Sequence, residues 1–269
     1  MSESITRTIS GLVYIALLLG ATLLSPISFT VLFAIFLLIA VHEYCKLSHL
    51  DVKLPLGITI VGIGLFCIYI SNDLKTNLLL NAAALFVSVG LLIELFKTGP
   101  SAPRDKSAKL VRLIGYVIVP FILIIKLPFL NTEYNPYVII GMFIMIWAND
   151  TFAYIVGKGI GKNKLFERIS PKKTIEGFVG GVVFTVAGAY ILALYYTFLS
   201  PWQWMGFAAI VAIFGTLGDL VESKLKRTAG VKDSGNIMPG HGGILDRLDS
   251  VLFAVPFLFL YYQIILYVS

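Results

Sequence analysis

The sequence predicts an all-α fold, a polytopic integral membrane protein of about nine transmembrane helices. Three observations predict it. Hydrophobic residues make up 58% of the 269 and charged residues only 13%, about half the roughly 25% usual for a soluble domain. The mean hydropathy is +0.89. Nine apolar runs each approach the ~17–25 residues that cross a bilayer. A water-soluble fold of this length could not bury so much apolar surface, so lipid must serve as solvent for most of the chain.

The runs are justified in order. The first, 8–25, could pass for a signal sequence. Its charged flank is thin (Arg7), no small-residue cleavage site follows, and a second run starts at once, so it is expected to remain as a helix. The second, 27–44, ends among His42, Glu43, Lys46 and His49, which read as interfacial residues. The third and fourth, 54–71 and 77–96, are nearly featureless apart from Glu94, also read as interfacial. The fifth, 111–130, follows Pro103-Arg-Asp-Lys-Ser107, Lys109 and Arg112, which read as a solvated loop beside anionic lipid. The sixth, 137–156, carries Asn149 and Asp150 toward its end; 177–199, 203–221 and 249–268 complete the set.

The net charge of +6 is placed unevenly. With a cytoplasmic N-terminus, only Lys75 and Lys126 of the 21 basic residues fall on the outer side. That bias follows the positive-inside rule, and it reads the positive charge as topological rather than as a nucleic-acid footprint. The two cysteines, Cys45 and Cys67, have no spacing that indicates a disulfide or zinc site and read as buried packing residues. No repeat or long linker divides the chain. It reads as a single membrane domain, 1–269, with plain membrane helices over 1–110 and a catalytic half over 111–269.

Polar residues concentrate in three segments, 97–112, 147–178 and 215–250, all on the same side in this topology. In the last, Asp219 lies in or at the end of a span, where a carboxylate costs roughly 2.5–3.5 kcal/mol and calls for a partner. Asp219, Ser223 and Lys226–Arg227 share a helix face. Asp246 and Asp249, three apart with Arg247 beside them, share another. Between them runs a loop with Gly240, Gly242 and Gly243, which lets backbone N–H groups approach an anion. Carboxylates interleaved with cations suit Mg²⁺ bridging phosphate oxygens. The competing reading is a salt-bridge network that only joins two helices.

The segment 147–181 adds Ser170-Pro-Lys-Lys-Thr-Ile-Glu-Gly177. Lys172 and Lys173 are flexible point charges suited to a triphosphate. Thr174 reads as a helix cap and Glu176 as a first-turn residue. Gly157-Lys-Gly-Ile-Gly-Lys162 imitates a phosphate loop but has Val156 where that pattern needs glycine and Asn163 where it needs Ser or Thr, so it reads as a basic turn.

Taken together, Ser223-Lys-Leu-Lys-Arg227, Lys232-Asp233, Pro239-Gly-His-Gly-Gly243 and Asp246-Arg-Leu-Asp249 resemble the signature of the phosphatidate cytidylyltransferases in order and spacing over 27 residues. The Ser170–Gly177 stretch and the Asn149-Asp150 pair resemble the same family. The resemblance implies transfer of CMP from CTP to phosphatidic acid, giving CDP-diacylglycerol and pyrophosphate in phospholipid biosynthesis. It implies Mg²⁺, with room for a second cation, on Asp219 and Asp246, with Asp249 completing the catalytic set. It implies substrate contacts from Asn149, Asp150, Lys172, Lys173, Ser223, Lys226, Arg227, Lys232, His241, Gly242, Gly243 and Arg247. The partners implied are CTP, phosphatidic acid and membrane lipid, with no nucleic acid and with a homodimer allowed. The place implied is the inner or plasma membrane, with the site facing the cytoplasm. The alternatives are a CTP-dependent polyprenol or phytol kinase, which would need to deprotonate a hydroxyl, and an anion transporter, for which internal repeats would be expected.

Overall fold

A computed structural model describes residues 3–68, 73–97, 105–131 and 133–268. Pro103, Arg104 and the Cys67 side chain, named above, lie outside the described residues. Among these residues eight helices are long and apolar enough to cross a membrane. They are α1 (Glu3–Leu24), α2 (Pro26–Ser48), α4 (Leu74–Phe96), the continuous Lys106–Phe129 rod, α7 (Pro136–Ile160), α8 (Ile175–Leu192), α9 (Pro201–Thr228) and α10 (Leu245–Val268). The rod joins α5 (Lys106–Arg112) and α6 (Val119–Lys126) through a π-helical turn, Leu113–Ile118. The expected third span appears as the shorter α3 (Lys53–Ile68), and 69–71 lie outside the described residues. The chain is a multi-pass, all-α membrane protein, with one small hairpin among the described residues.

Local chemistry sets the ends. Ser25 and Asp73 cap α2 and α4 through N–H groups three residues on, and Ser200 and Gln203 form a reciprocal capping box on α9. At 28 residues α9 runs about 42 Å at 1.5 Å per residue, longer than the ~30 Å hydrocarbon core, so its last turns leave the membrane. The seventh span ends at Leu192, earlier than the expected 199. Beyond it the chain folds into turns over Trp204, which is fully buried and donates from Nε1 to the Tyr196 carbonyl at 2.7 Å. That aromatic contact holds the carbonyl that a longer helix would have used internally.

Two further expectations are corrected. The basic stretch Gly157–Lys162 is mostly helix: α7 continues through Ile160, and only Gly161 and Lys162 lie beyond it. A Cβ on Gly157 would stand 2.9 Å from Thr174 Oγ1, so the helix runs close against the start of α8. The chain then forms an antiparallel hairpin, β1 (Lys164–Phe166) and β2 (Ser170–Thr174), which presents Lys172 and Lys173. Thr174 caps α8 through the Gly177 N–H at 3.1 Å, as expected. Glu176, in the first turn, accepts from Asn163 Nδ2 at 2.7 Å and fixes the hairpin to the helix.

Helices α7, α8, α9 and α10 pack in succession, and α4 and α6 close against α10. Phe29, Phe33, Phe121, Phe143, Phe207 and Phe253 fill the interior. Large apolar side chains such as Leu12, Phe86 and Leu194 cover the outside, as a bilayer requires. Because neighbours run antiparallel, the C-terminal halves of α2, α7 and α9 and the N-terminal ends of α8 and α10 meet at one end of the molecule.

Candidate active site

At that end a cavity of about 540 Å³ opens. Helix α7 supplies Asn149, Asp150 and Lys158; the hairpin supplies Lys172 and Lys173; α9 supplies Asp219 and Lys226; the loop after α9 supplies Asp233; α10 supplies Asp246, Arg247 and Asp249. Five carboxylates and five cations therefore line one space. Charges this dense at the end of membrane helices have to answer one another, and their pairing is specific.

Asp219 is ion-paired with Lys173 and accepts from Ser223 Oγ at 3.2 Å. Lys226 sits between Glu222, which is fully buried, and Asp246 Oδ1 at 2.6 Å. Asp246 Oδ2 accepts three bonds at 2.8 Å, from the Ser234 N–H, the Ser234 hydroxyl and the Gly243 N–H. One oxygen thus staples the glycine loop, and the other meets the Lys226 ammonium. Gly242 has φ +87, and a Cβ there would stand 2.5 Å from Asp246 Oδ2, so glycine is needed for both backbone and approach. The Asp249 carboxylate accepts from the Ser250 N–H at 2.6 Å.

The donor set fits a Mg²⁺ ion in kind. The ion takes hard oxygens, usually one or two carboxylates plus waters and substrate phosphates. Asp219 and Asp246 both line the cavity, and a lysine ammonium contacts one oxygen of each. Such ammonium positions mark where positive charge is favourable.

Asn149 lines this cavity from within its wall and donates to Thr216 Oγ1 at 3.2 Å. Other predicted residues do not reach it. Ser223 lies outside the lining and donates to Asp219. Arg227 is exposed and donates to the Val231 carbonyl at 3.3 Å, and Lys232 is exposed outside the wall. His241 lines a second, adjoining chamber, with Nδ1 2.7 Å from Ser10 Oγ. Burial and then the nearby Arg247 charge hold its imidazole below the ordinary range.

Besides Lys158 and Asp233 in the cavity lining, Glu222, Glu43 and Tyr14 escaped the sequence reading. Glu222 had a usable signal, four residues before Lys226 on one helix face. Glu43 had only its place in an apolar run, and its reading as interfacial is corrected: it is 4% exposed, while its neighbours His42 and Lys46 are exposed. Its Oε1 accepts from the Ile244 N–H at 3.1 Å, and Oε2 from the Leu245 N–H at 2.8 Å and Ser234 Oγ at 3.3 Å. Carboxylates are favoured at helix N-termini, and this one, drawn from α2, caps α10 just before Asp246. Tyr14, the third, is treated below. Glu94 likewise pairs with Arg112, joining α4 to α5.

Replacing Glu43 with Ala should cost about 1–3 kcal/mol of stability, since it strands buried donors at the start of α10. Thermal unfolding in detergent measures this; an unchanged midpoint would mean that water replaces the carboxylate.

The cytidylyltransferase family model matches residues 5–265. A phosphatidate cytidylyltransferase of Bacillus subtilis is 53% identical over 117 residues, 43% of this chain and 44% of that protein. Namesakes from Staphylococcus haemolyticus and Staphylococcus aureus are 51% and 50% identical over the same length, 43% of this chain and 45% of each. The matched stretch thus spans less than half the length of these curated relatives.

Proposed function

The chain belongs to the cytidylyltransferase family, and from that premise we propose that it transfers CMP from CTP to phosphatidic acid. A phosphate oxygen of the lipid attacks the α-phosphorus of CTP. The bond from that phosphorus to the bridging oxygen breaks, and pyrophosphate leaves with the electron pair. The observation that carries the reading is the single cavity in which Lys172, Lys173, Lys226 and Arg247 face five carboxylates.

Both reactants are anions, so the protein must neutralise and align them. No protein nucleophile is needed, because the lipid phosphate is already ionised. Lys172 and Lys173, on a hairpin over the cavity, suit the triphosphate. Arg247, with a planar fork of donors, suits a phosphate shared between substrates. Asp219 and Asp246 would hold Mg²⁺, with Asp249 beside them. Bound there, the ion supplies positive charge to the phosphate oxygens and to the departing pyrophosphate. Glu222 and Asp246 hold Lys226 extended along the cavity wall.

Proteoliposomes supplied with CTP labelled on either the α- or the γ-phosphate test the reaction. The α-label should enter the lipid fraction as pyrophosphate is released. Entry of the γ-label would identify a lipid kinase instead.

Changing Lys172 or Lys173 to Ala should raise the KM for CTP, by about 1–3 kcal/mol for each charge-assisted hydrogen bond removed. An unaltered dependence on CTP concentration would return both lysines to a topological role. We place the site in the cell membrane facing the cytoplasm, from the charge bias on the loops. Counting α3 as a crossing makes nine, so a reporter fused after Ser269 should read as external. A cytoplasmic signal would mean that α3 does not cross or that the chain is inverted.

A further inference from the structure

A second chamber and an apolar groove continue from the cavity, and we propose that they hold the acceptor lipid. Its phosphate would sit in the chamber at Tyr14 and Arg247, and an acyl chain would lie between α1 and α2. The inference rests on phosphatidic acid being the acceptor.

The chamber, about 210 Å³, lies between α1, α7 and α10. It shares Asp150, Asp246, Arg247 and Asp249 with the first cavity, so these side chains form a common wall. One guanidinium is therefore reachable from both sides, as joining two phosphates requires. The groove, about 380 Å³, is lined by Ile9, Val13 and Leu17 of α1 and by Phe36 and Ile39 of α2, with Met238 above them. Ile9, Val13 and Leu17 are 48%, 52% and 54% exposed, so the groove opens sideways along α1.

Tyr14 and Met238 belong to both spaces. Tyr14 is only 9% exposed, and its ring stacks on Phe36 at 6.1 Å. Its buried hydroxyl has no hydrogen-bond partner among the described residues. A phenol in that state is completed by an acceptor in the chamber, and a phosphate oxygen is one. Polarity changes in the order a phospholipid needs, from apolar at the bilayer side, through one phenol, to the charged wall. His241 lines the chamber and meets Ser10 Oγ at 2.7 Å, which ties the loop to α1. A free nucleotide has no use for the groove, whereas a diacyl phosphate monoester uses all three environments.

Two measurements on the full chain test this. The first is photocrosslinking with a phosphatidic acid that carries a diazirine at the end of one acyl chain. Adducts are expected within Ile9–Leu17 or Phe36–Ile39, and adducts only on other helices would overturn the proposal. The second compares kcat/KM for long-chain and for short-chain, water-soluble phosphatidic acid. Val13→Trp, which fills the groove, should lower the long-to-short ratio at least tenfold. Val179→Trp, on the exposed face of α8, should leave the ratio as in the parent. An unchanged ratio in Val13→Trp, or equal loss on both lipids, would overturn the groove. Groove adducts in a protein that makes no CDP-diacylglycerol from either lipid would overturn the catalytic reading and leave the lipid site standing. Turnover with adducts elsewhere would do the reverse.

Discussion

Changing Asp219 to Asn should remove nearly all turnover, about a thousandfold or more, while the protein folds and extracts as the parent does. The activity loss follows from charge. Stabilising charge that develops on phosphate is worth about 3–4 kcal/mol for each well-placed group, and a carboxylate that holds the cation controls more than one. The fold should survive because of what Asp219 touches. Asn keeps an oxygen for the Ser223 hydroxyl. The ion pair with Lys173 is partly solvated, with side chains 28% and 32% exposed, and pairs of that kind contribute ~0–1 kcal/mol. Product formation across a Mg²⁺ series, beside a thermal unfolding curve, reads both quantities. A folded Asp219→Asn protein with near-parental activity at every Mg²⁺ concentration would sink the metal assignment.

Asp246→Asn is a different experiment, although the sequence places the two aspartates as equals. Asp246 Oδ2 receives three donors from the glycine loop. An amide with its NH₂ on that side would oppose donor to donor, and the loop would loosen. Activity and stability should fall together, so this variant cannot separate metal binding from loop stapling.

The second large effect is on stability. Lys226→Met removes the cation between Glu222 and Asp246, whose side chains are 0% and 4% exposed. Two buried carboxylates are left to repel each other, and breaking a buried pair from one side costs about 3–5 kcal/mol. Removing Glu222 as well, as Lys226→Met with Glu222→Gln, should recover part of that loss, because the most deeply buried charge is gone. A double-mutant cycle measured by unfolding gives the coupling. If Lys226→Met unfolds with the parent, Glu222 is protonated or hydrated in the native protein and the triad contributes nothing.

Much of the fold was legible because a bilayer imposes a length. Backbone polar groups in lipid must be satisfied within the helix, so each crossing is written as one local apolar run. Runs 27–44 and 137–156 reappear inside α2 and α7 for that reason. The charge-bearing part of the site was also legible, since Asp219, Lys226, Asp246 and Arg247 lie in one short stretch whose helix faces can be read from spacing. Lys172 and Lys173 were legible as charges but not as members of a hairpin, because the two short strands have no apolar alternation to announce them.

What only the tertiary structure decided is the pairing of buried polar groups across long sequence separations. Nothing near Glu43 distinguishes it from an interfacial residue; its role comes from the Ile244 and Leu245 N–H groups, some 200 positions away, at the end of another helix. Tyr14 reads as one more aromatic in a membrane span until α7 and α10 close a chamber over its hydroxyl. Apolar periodicity determines which segments cross the membrane, because burial in lipid is a property of each segment alone. It does not determine which carboxylate meets which N–H, because a hydrogen bond needs both groups within about 3 Å, and only the packing of all the helices fixes that distance.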